Sequence, residues 1–164
     1  MKLISELIDT PIGRLRVVER DGRVCASAFE EFWPKVETRL RRRLGDIDLR
    51  PGSVRSRSAI DRYFHGDIDA LNDVDVDATG SGFQGSVWRS LRSIRGGAPI
   101  SYAELAARIG SPNAVRAVGN ANGANPVCVV VPCHRVVRSD GSIGGYGGGV
   151  ERKEWLLEHE RRHA

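Results

Sequence analysis

Val127-Cys128-Val129-Val130-Val131-Pro132-Cys133-His134-Arg135-Val136 is the stretch on which the reading of this chain turns. The apolar run lies between Pro126 and Pro132 and is short enough to be a buried strand or an extended core segment. It delivers a cysteine, a histidine and an arginine to the edge of a core. An unperturbed thiol, with a pKa of ~8.5, is only about 3% ionised at pH 7. A nucleophilic cysteine therefore needs neighbours that favour the thiolate, and at Cys133 the neighbours are a base and a cation. The plainer alternative is that Cys133 packs and His134 makes a hydrogen bond.

Downstream, Ser139 to Gly149 is glycine-rich around Tyr146, with Gly141, Gly144, Gly145, Gly147, Gly148 and Gly149. Such a loop can pass close to a ligand because few side chains stand in the way. A final helix is predicted from Glu151 to about Arg161, anchored by Trp155, Leu156 and Leu157.

Upstream, Phe83, Val87, Leu91 and Ile94 have helical spacing, closed by Gly96-Gly97. Ser101-Tyr102-Ala103-Glu104 fits a capping box, in which serine and glutamate side chains satisfy each other's backbone donors. Tyr102, Leu105, Ala106 and Ile109 would share a face of the helix that follows. Gly110-Ser111-Pro112 is a turn, and Asn113 to Asn122 reads as a second short helix carrying the single charge Arg116. Two short helices joined in this way form a helix-turn-helix, whose second helix can enter a DNA groove. The small residues Ala114, Ala117 and Ala121 would allow close approach, although many helical hairpins have no DNA partner.

The N-terminal half has a different texture. Leu3-Ile8, Arg14-Val18 and Arg23-Phe29 are short β-type runs separated by turn residues, which predicts a meander. A helix with Pro34 in its first turn follows, with Trp33, Val36, Leu40 and Leu44 on one side and Gly45 as its stop. The run Arg39, Arg41, Arg42 and Arg43 reads as its solvated face. After a polar stretch, Asp46–Ser58, Ala59–Phe64 looks helical and Gly66 would end it. Thr79-Gly80-Ser81-Gly82 reads as a linker, so the expected domains are 1–79 and 80–164.

Composition excludes several classes. The 164 residues are 40% hydrophobic and 28% charged, as in ordinary globular chains and unlike collagen, disordered or membrane proteins. No run approaches the roughly 18 apolar residues of a membrane span, and the cytoplasm is the expected location. Cys25, Cys128 and Cys133 are an odd number without CxxC spacing, which fits a reducing compartment rather than a disulfide framework. Cys25, His65 and the scattered aspartates lack zinc-ligand spacing, so no metal is expected. The net charge is +4, carried mainly by arginine, since Lys2, Lys35 and Lys153 are the only lysines. Phosphate-rich partners are thereby plausible. On residues alone, a cysteine-sensing DNA regulator and a Cys-His hydrolase both stay open.

Five motifs in order narrow this: Arg116-Ala117-Val118-Gly119, Asn125-Pro126, Pro132-Cys133-His134-Arg135-Val136, Gly145-Tyr146-Gly147-Gly148 and Lys153-Glu154-Trp155-Leu156-Leu157. Together they closely resemble the O6-alkylguanine-DNA alkyltransferases. Thr10-Pro11-Ile12-Gly13 and Tyr63-Phe64-His65-Gly66 extend the likeness more loosely. The resemblance implies an α/β protein: a small ribonuclease-H-like N-terminal α/β domain, then a mainly helical C-terminal domain with a winged helix-turn-helix. It implies irreversible, once-only transfer of an alkyl group from O6-alkylguanine in DNA to Cys133, without metal or organic cofactor. O4-alkylthymine is left open as a second substrate.

The resemblance also assigns roles. His134, acting through a water and held by Glu160, would be the base on the thiol, and Tyr102 would donate to the guanine ring. Val136, Tyr146, Gly147 and Gly148 would line the base pocket. Arg116 would fill the space left by a nucleotide turned out of the duplex, with Ala114, Ala117, Ala121 and Asn122 on the DNA-binding helix, used in the minor groove. Asn125 would tie that helix to the active-site strand as a structural hinge. The expected partner is double-stranded DNA, with no membrane; a monomer is expected in solution, and assembly of several molecules on DNA is left open. Cys128 departs from relatives that carry proline or a small apolar residue there, and reads as a buried small hydrophobe. Cys133 is not replaced by tryptophan, as it is in the non-repairing relatives, and a cysteine-rich regulatory domain is lacking.

Overall fold

The computed structural model describes residues 1–77, Gly80 and 82–164. They fall into two compact units, Met1–Ala78 with Pro126–Val130, and Thr79–Asn125 with Val131–Ala164. Of the expected linker, Thr79 and Ser81 lie outside the described residues, and Gly82 already belongs to a helix.

In the first unit the three alternating runs form the expected meander, β1 (Lys2–Thr10), β2 (Gly13–Arg20) and β3 (Arg23–Phe29). Asp21 and Gly22 both have positive φ, 51° and 78°, as a two-residue turn matched to strand twist requires. A fourth strand, β4 (Asp48–Pro51), lies in the stretch read as polar coil and pairs parallel with β1, giving the order β3-β2-β1-β4. Its proline is tolerated because the strand is at the sheet's edge.

Helix α1 (Trp33–Leu44) buries Trp33 and Leu40 in one cluster with Leu3, Val18, Cys25 and Ala26, and ends at Gly45 with φ 79°. Its arginine face is not wholly solvated, as expected, but partly tied down. Arg43 donates to the Cys25 carbonyl at 3.0 Å and Arg41 to the Ile47 carbonyl at 3.3 Å. Helix α2 (Arg57–Phe64) begins under Glu19, which a bulge between Val18 and Glu19 accompanies. The buried Glu19 carboxylate accepts from Arg55 N (2.8 Å), Ser56 N (3.0 Å) and Ser56 Oγ (2.6 Å). The carboxylate thus satisfies backbone donors just before the helix, at its positive N-terminal end.

The apolar run after Pro126 is buried except for a half-buried Cys128, but it is not a strand. A single bridge joins Val127 to Ser27, after which the chain turns, with Val129 at φ 74°. That is an unusual conformation for a β-branched residue. The Ser27 hydroxyl and Cys128 carbonyl, 2.7 Å apart, and Cys128 N to Ser27 O, 3.0 Å, hold the segment within the first unit.

The second unit contains α3 (Gly82–Leu91), α4 (Tyr102–Arg108), α5 (Val115–Gly123), α6 (Val150–His163) and a two-stranded parallel pair, β5 (Ile100–Ser101) with β6 (Val136–Val137). The apolar spacing of α3 is only partly used. Phe83 is exposed and Ile94 lies beyond the helix end, while Trp88 is buried and donates to the Ala121 carbonyl at 2.8 Å. Half of the capping box forms: Ser101 Oγ accepts from Glu104 N at 3.0 Å, but the Glu104 carboxylate lies beside Arg108. Among the described residues no helix is long and apolar enough to cross a membrane.

Replacing Glu19 by alanine would strand two buried donors on Ser56 and a part-buried one on Arg55, so we expect Glu19→Ala to lower stability by about 3 kcal/mol. Urea unfolding of the variant would show it as a lower midpoint at unchanged slope; an unaltered midpoint would contradict this account of α2.

Candidate active site

The second unit brings Tyr102, Asn122, Cys133, His134, Lys153 and Glu160 together from four separate stretches of chain. Cys133, His134 and Arg135 form one 3-10 turn directly before β6, and all three are buried. The turn is set by Arg135 N donating to Pro132 O at 3.0 Å and Cys133 N to Val131 O at 2.8 Å.

Glu160 comes from α6, seven residues after Lys153 and four after Leu156, on the buried stripe of that helix. Its side chain is 1% exposed and accepts from His134 Nε2 at 2.8 Å, Arg135 Nε at 3.0 Å and Arg135 NH2 at 2.9 Å. Burial would raise its carboxyl pKa, but His134 and Arg135 outweigh this and hold it well below the usual carboxylate range. Arg135 also donates to the Ile94 carbonyl at 2.7 Å. The sequence reading had this arginine acidifying Cys133. It does not serve the thiol: its fork is used on Glu160, the bidentate match that guanidinium and carboxylate favour.

The cation that acts on Cys133 is Lys153, which sequence reasoning quoted in a motif but gave no role. Fully buried, it donates from Nζ to the Val136 carbonyl at 2.7 Å and the Gly145 carbonyl at 3.1 Å, 5.9 Å from the centre of the Tyr102 ring. Burial lowers its pKa to about 8, against the opposing pull of Cys133. Burial likewise pushes the Cys133 thiol up, while a hydrogen bond from Asn125 and the Lys153 charge pull it down. Thus the expected neighbours do not produce a net acidic thiol; desolvation dominates. A signal for Lys153 was present: it is one of three lysines in an arginine-rich chain and sits at core spacing with Leu156 and Glu160.

Tyr102 is half-buried at the start of α4, its hydroxyl raised in pKa by burial and by Cys133 and lowered by Arg138 and a hydrogen bond with Asn122. Gly144 has φ 74°, and a Cβ there would stand 3.1 Å from the Tyr102 hydroxyl and 3.5 Å from Lys153 Nζ, so this glycine permits a close pass of the loop. Tyr146 is half-buried and edge-on to His134, centroids 6.3 Å apart. Val136 is buried with its carbonyl taken by Lys153; Gly148 is buried and Gly147 exposed.

On α5, Val115, Arg116 and Ala117 are exposed and Ala114, half-buried, is the N-cap. Ala121 and Asn122, grouped with the DNA-facing residues from sequence, face inward instead: a helix turns such positions away from Arg116. Asn122 donates to the Cys133 carbonyl at 3.3 Å. Asn125 donates to the Val131 carbonyl at 2.8 Å, so both asparagines link the end of α5 to the cysteine turn. Among the described residues no group of three or more His, Cys, Asp or Glu could hold a metal.

Comparison with known proteins bears on this cluster directly. Residues 82–162 match the family model for the 6-O-methylguanine DNA methyltransferase DNA binding domain. A methylated-DNA–protein-cysteine methyltransferase of Salmonella typhimurium is 41% identical over 98% of this chain and 96% of its own length. The chain belongs to the methylated-DNA–protein-cysteine methyltransferase family. The resemblance read from the five motifs is therefore borne out, as is the α/β class. A crystal structure of the Mycobacterium tuberculosis O6-methylguanine methyltransferase matches with TM-score 0.83 and 37% identity, over 99% of this chain and 94% of that one. The M. tuberculosis OGT in complex with DNA matches with TM-score 0.77 and 34% identity over 100% and 95%. In this methyltransferase the family match covers every residue of the buried cluster.

Removing one partner of the Glu160 cluster leaves a buried charge uncompensated. We expect Arg135→Ala to cost about 3–5 kcal/mol at pH 7. Glu160 has a folded pKa below its unfolded value of about 4.3. Its stabilising contribution is present above that value and is lost as pH falls towards the folded one. The gap between wild type and variant should therefore narrow below about pH 4 in urea titrations; a gap independent of pH would refute the assignment.

Proposed function

We propose that this protein repairs DNA by direct reversal, taking the alkyl group from O6-alkylguanine onto Cys133. The observation that carries the reading is the buried Cys133-His134-Glu160 arrangement in a chain of this family. His134 gives Nε2 to Glu160, leaving Nδ1 as the ring nitrogen able to accept a proton. Glu160 orients that imidazole and Cys133 supplies the nucleophile, an extension of the nucleophile, base and orienting-acid logic to a thiol.

The thiol proton passes to His134, through a bridging water. The sulfur lone pair forms the new S–C bond, the C–O6 bond breaks in line, and its electron pair stays with guanine. Guanine, leaving as an anion, is neutralised by a proton from the Tyr102 hydroxyl. Tyr146, Gly147, Gly148 and the backbone at Val136 enclose the base. A thioether has no easy leaving group, so each molecule acts once. Burial raises the thiol's cost of ionisation, and Lys153 and Asn125 offset part of it at the moment the negative charge forms.

Because O6 lies within the base stack, the damaged nucleotide is turned out of the duplex, at a cost of a few kcal/mol. We assign α5 to the minor groove, with Ala114 and Ala117 allowing close approach and Arg116 filling the vacated space. Arg116 is exposed and its guanidinium has no hydrogen bond or ion pair among the described residues. Residues 1–79 are read as a ribonuclease-H-like domain, on the strand order β3-β2-β1-β4 with β4 parallel to β1. Residues 80–164 are read as a winged helix-turn-helix, built on α4 and α5. We infer a cytoplasmic protein that is a monomer in solution, with assembly of several molecules on DNA left open.

Incubation with duplex DNA containing O6-methylguanine is expected to add the mass of one methyl group to the peptide bearing Cys133, never more than one per molecule. A peptide of unchanged mass would refute the reading, and sustained turnover would favour a hydrolase. For Arg116→Ala we expect transfer from duplex DNA to fall steeply while transfer from the free base O6-benzylguanine falls much less. Equal losses would remove Arg116 from base extrusion.

A further inference from the structure

Arg138 is an exposed charge near Tyr102 and Lys153 that the reaction outlined above does not use. It directly follows β6, and the parallel register Ile100↔Val136 and Ser101↔Val137 makes Tyr102 and Arg138 the next residues out of the same end of the ladder. Its backbone is pinned: Arg138 N donates to Ser142 O at 3.0 Å, and Gly141 N donates to Arg138 O at 2.9 Å. Asp140 Oδ1 braces the same turn by accepting from Ser142 N at 2.9 Å and Ser142 Oγ at 2.7 Å.

From this rigid turn the side chain stands exposed, with no hydrogen bond or ion pair among the described residues. It is within electrostatic reach of the Tyr102 hydroxyl, of Asp140 and of the Lys153 ammonium. Asp140 offsets part of its charge but is already engaged by Ser142. Two cations, Lys153 and Arg138, therefore repel each other across the entrance, with Lys153 buried and spent on carbonyls. An anion arriving outside Tyr102 would relieve that repulsion and meet an unused guanidinium fork. A nucleotide whose base reaches Cys133 carries a phosphodiester on each side of its sugar.

We propose that Arg138 is a positioning residue that binds the phosphodiester beside the turned-out nucleotide and so holds the alkyl carbon in line with Cys133. This rests on the base-extrusion reading given above. Phosphate contacts fix register without reading sequence, which suits a protein that must act at any guanine.

The test is single-turnover methyl transfer by the full chain from duplex DNA containing O6-methylguanine, beside transfer from O6-benzylguanine, which has no phosphate. For Arg138→Ala we expect about tenfold weaker use of the duplex, as for loss of one charge-assisted hydrogen bond, and at most about a twofold change with the free base. The slope of log affinity against log salt, taken between about 50 and about 200 mM, should shrink by about one. Arg138→Lys should restore the salt slope and part of the rate. Replacing either flanking phosphate in turn with an uncharged methylphosphonate should penalise wild type at one of the two positions and leave Arg138→Ala indifferent there.

Equal slowing with both substrates would overturn the proposal, because Arg138 would then act on Tyr102 and Lys153 rather than on phosphate. No effect on either substrate, or methylphosphonate losses that are the same in wild type and variant, would overturn it too. Failure of the wild type to alkylate Cys133 from either substrate would instead strike the functional reading itself.

Discussion

One buried carboxylate organises the reactive half of this protein. Glu160 binds the imidazole of His134 and the guanidinium of Arg135 at once, in a place with almost no access to water. Each of the three would be costly to bury alone, and together they compensate one another. Because His134 and Arg135 directly follow the cysteine on one 3-10 turn, fastening them to α6 also fastens the backbone that carries the sulfur. The same bond fixes which imidazole nitrogen faces Glu160. Packing, orientation and chemistry thus depend on a single side chain from the last helix.

The thiol beside it is governed by a second constraint, desolvation. A buried sulfur resists ionisation because burial disfavours the charged thiolate. Lys153 and Asn125 oppose that resistance without abolishing it. Lys153 is itself held by two carbonyls, and its own burial lowers its pKa to about 8. The charge it offers is greatest in value when negative charge develops on sulfur, the moment at which a low-dielectric site amplifies it. The glycine loop serves this arrangement by coming close: at Gly144 any side chain would crowd the Tyr102 hydroxyl.

Helix α5 and the cysteine turn are joined through asparagines. Asn122 and Asn125, at the end of α5, donate to the Cys133 and Val131 carbonyls on either side of Pro132. Helix α5, whose residues Val115, Arg116 and Ala117 are exposed, is thereby tied by two hydrogen bonds to the backbone that carries Cys133.

Much of this could be read before any coordinates. The meander, the helices and the short helix pair followed from apolar period and turn residues, because those signals are local. The motif run through Cys133 named the family, because its spacing is covalent. What sequence could not supply was the pairing of charges. Arg135 adjoins Cys133 in the chain, yet its guanidinium serves Glu160, while Lys153, distant in sequence, became the cation at the sulfur. Ala121 and Asn122 likewise belong to the helix that carries Arg116 but lie on its buried side. The apolar valine run, readable as a strand, makes one isolated bridge, to Ser27, among the described residues and then turns at Val129. Residue types and their order determined which chemistry was possible; only folding decided which charges meet, since burial makes every ionised group seek the nearest compensating one in space.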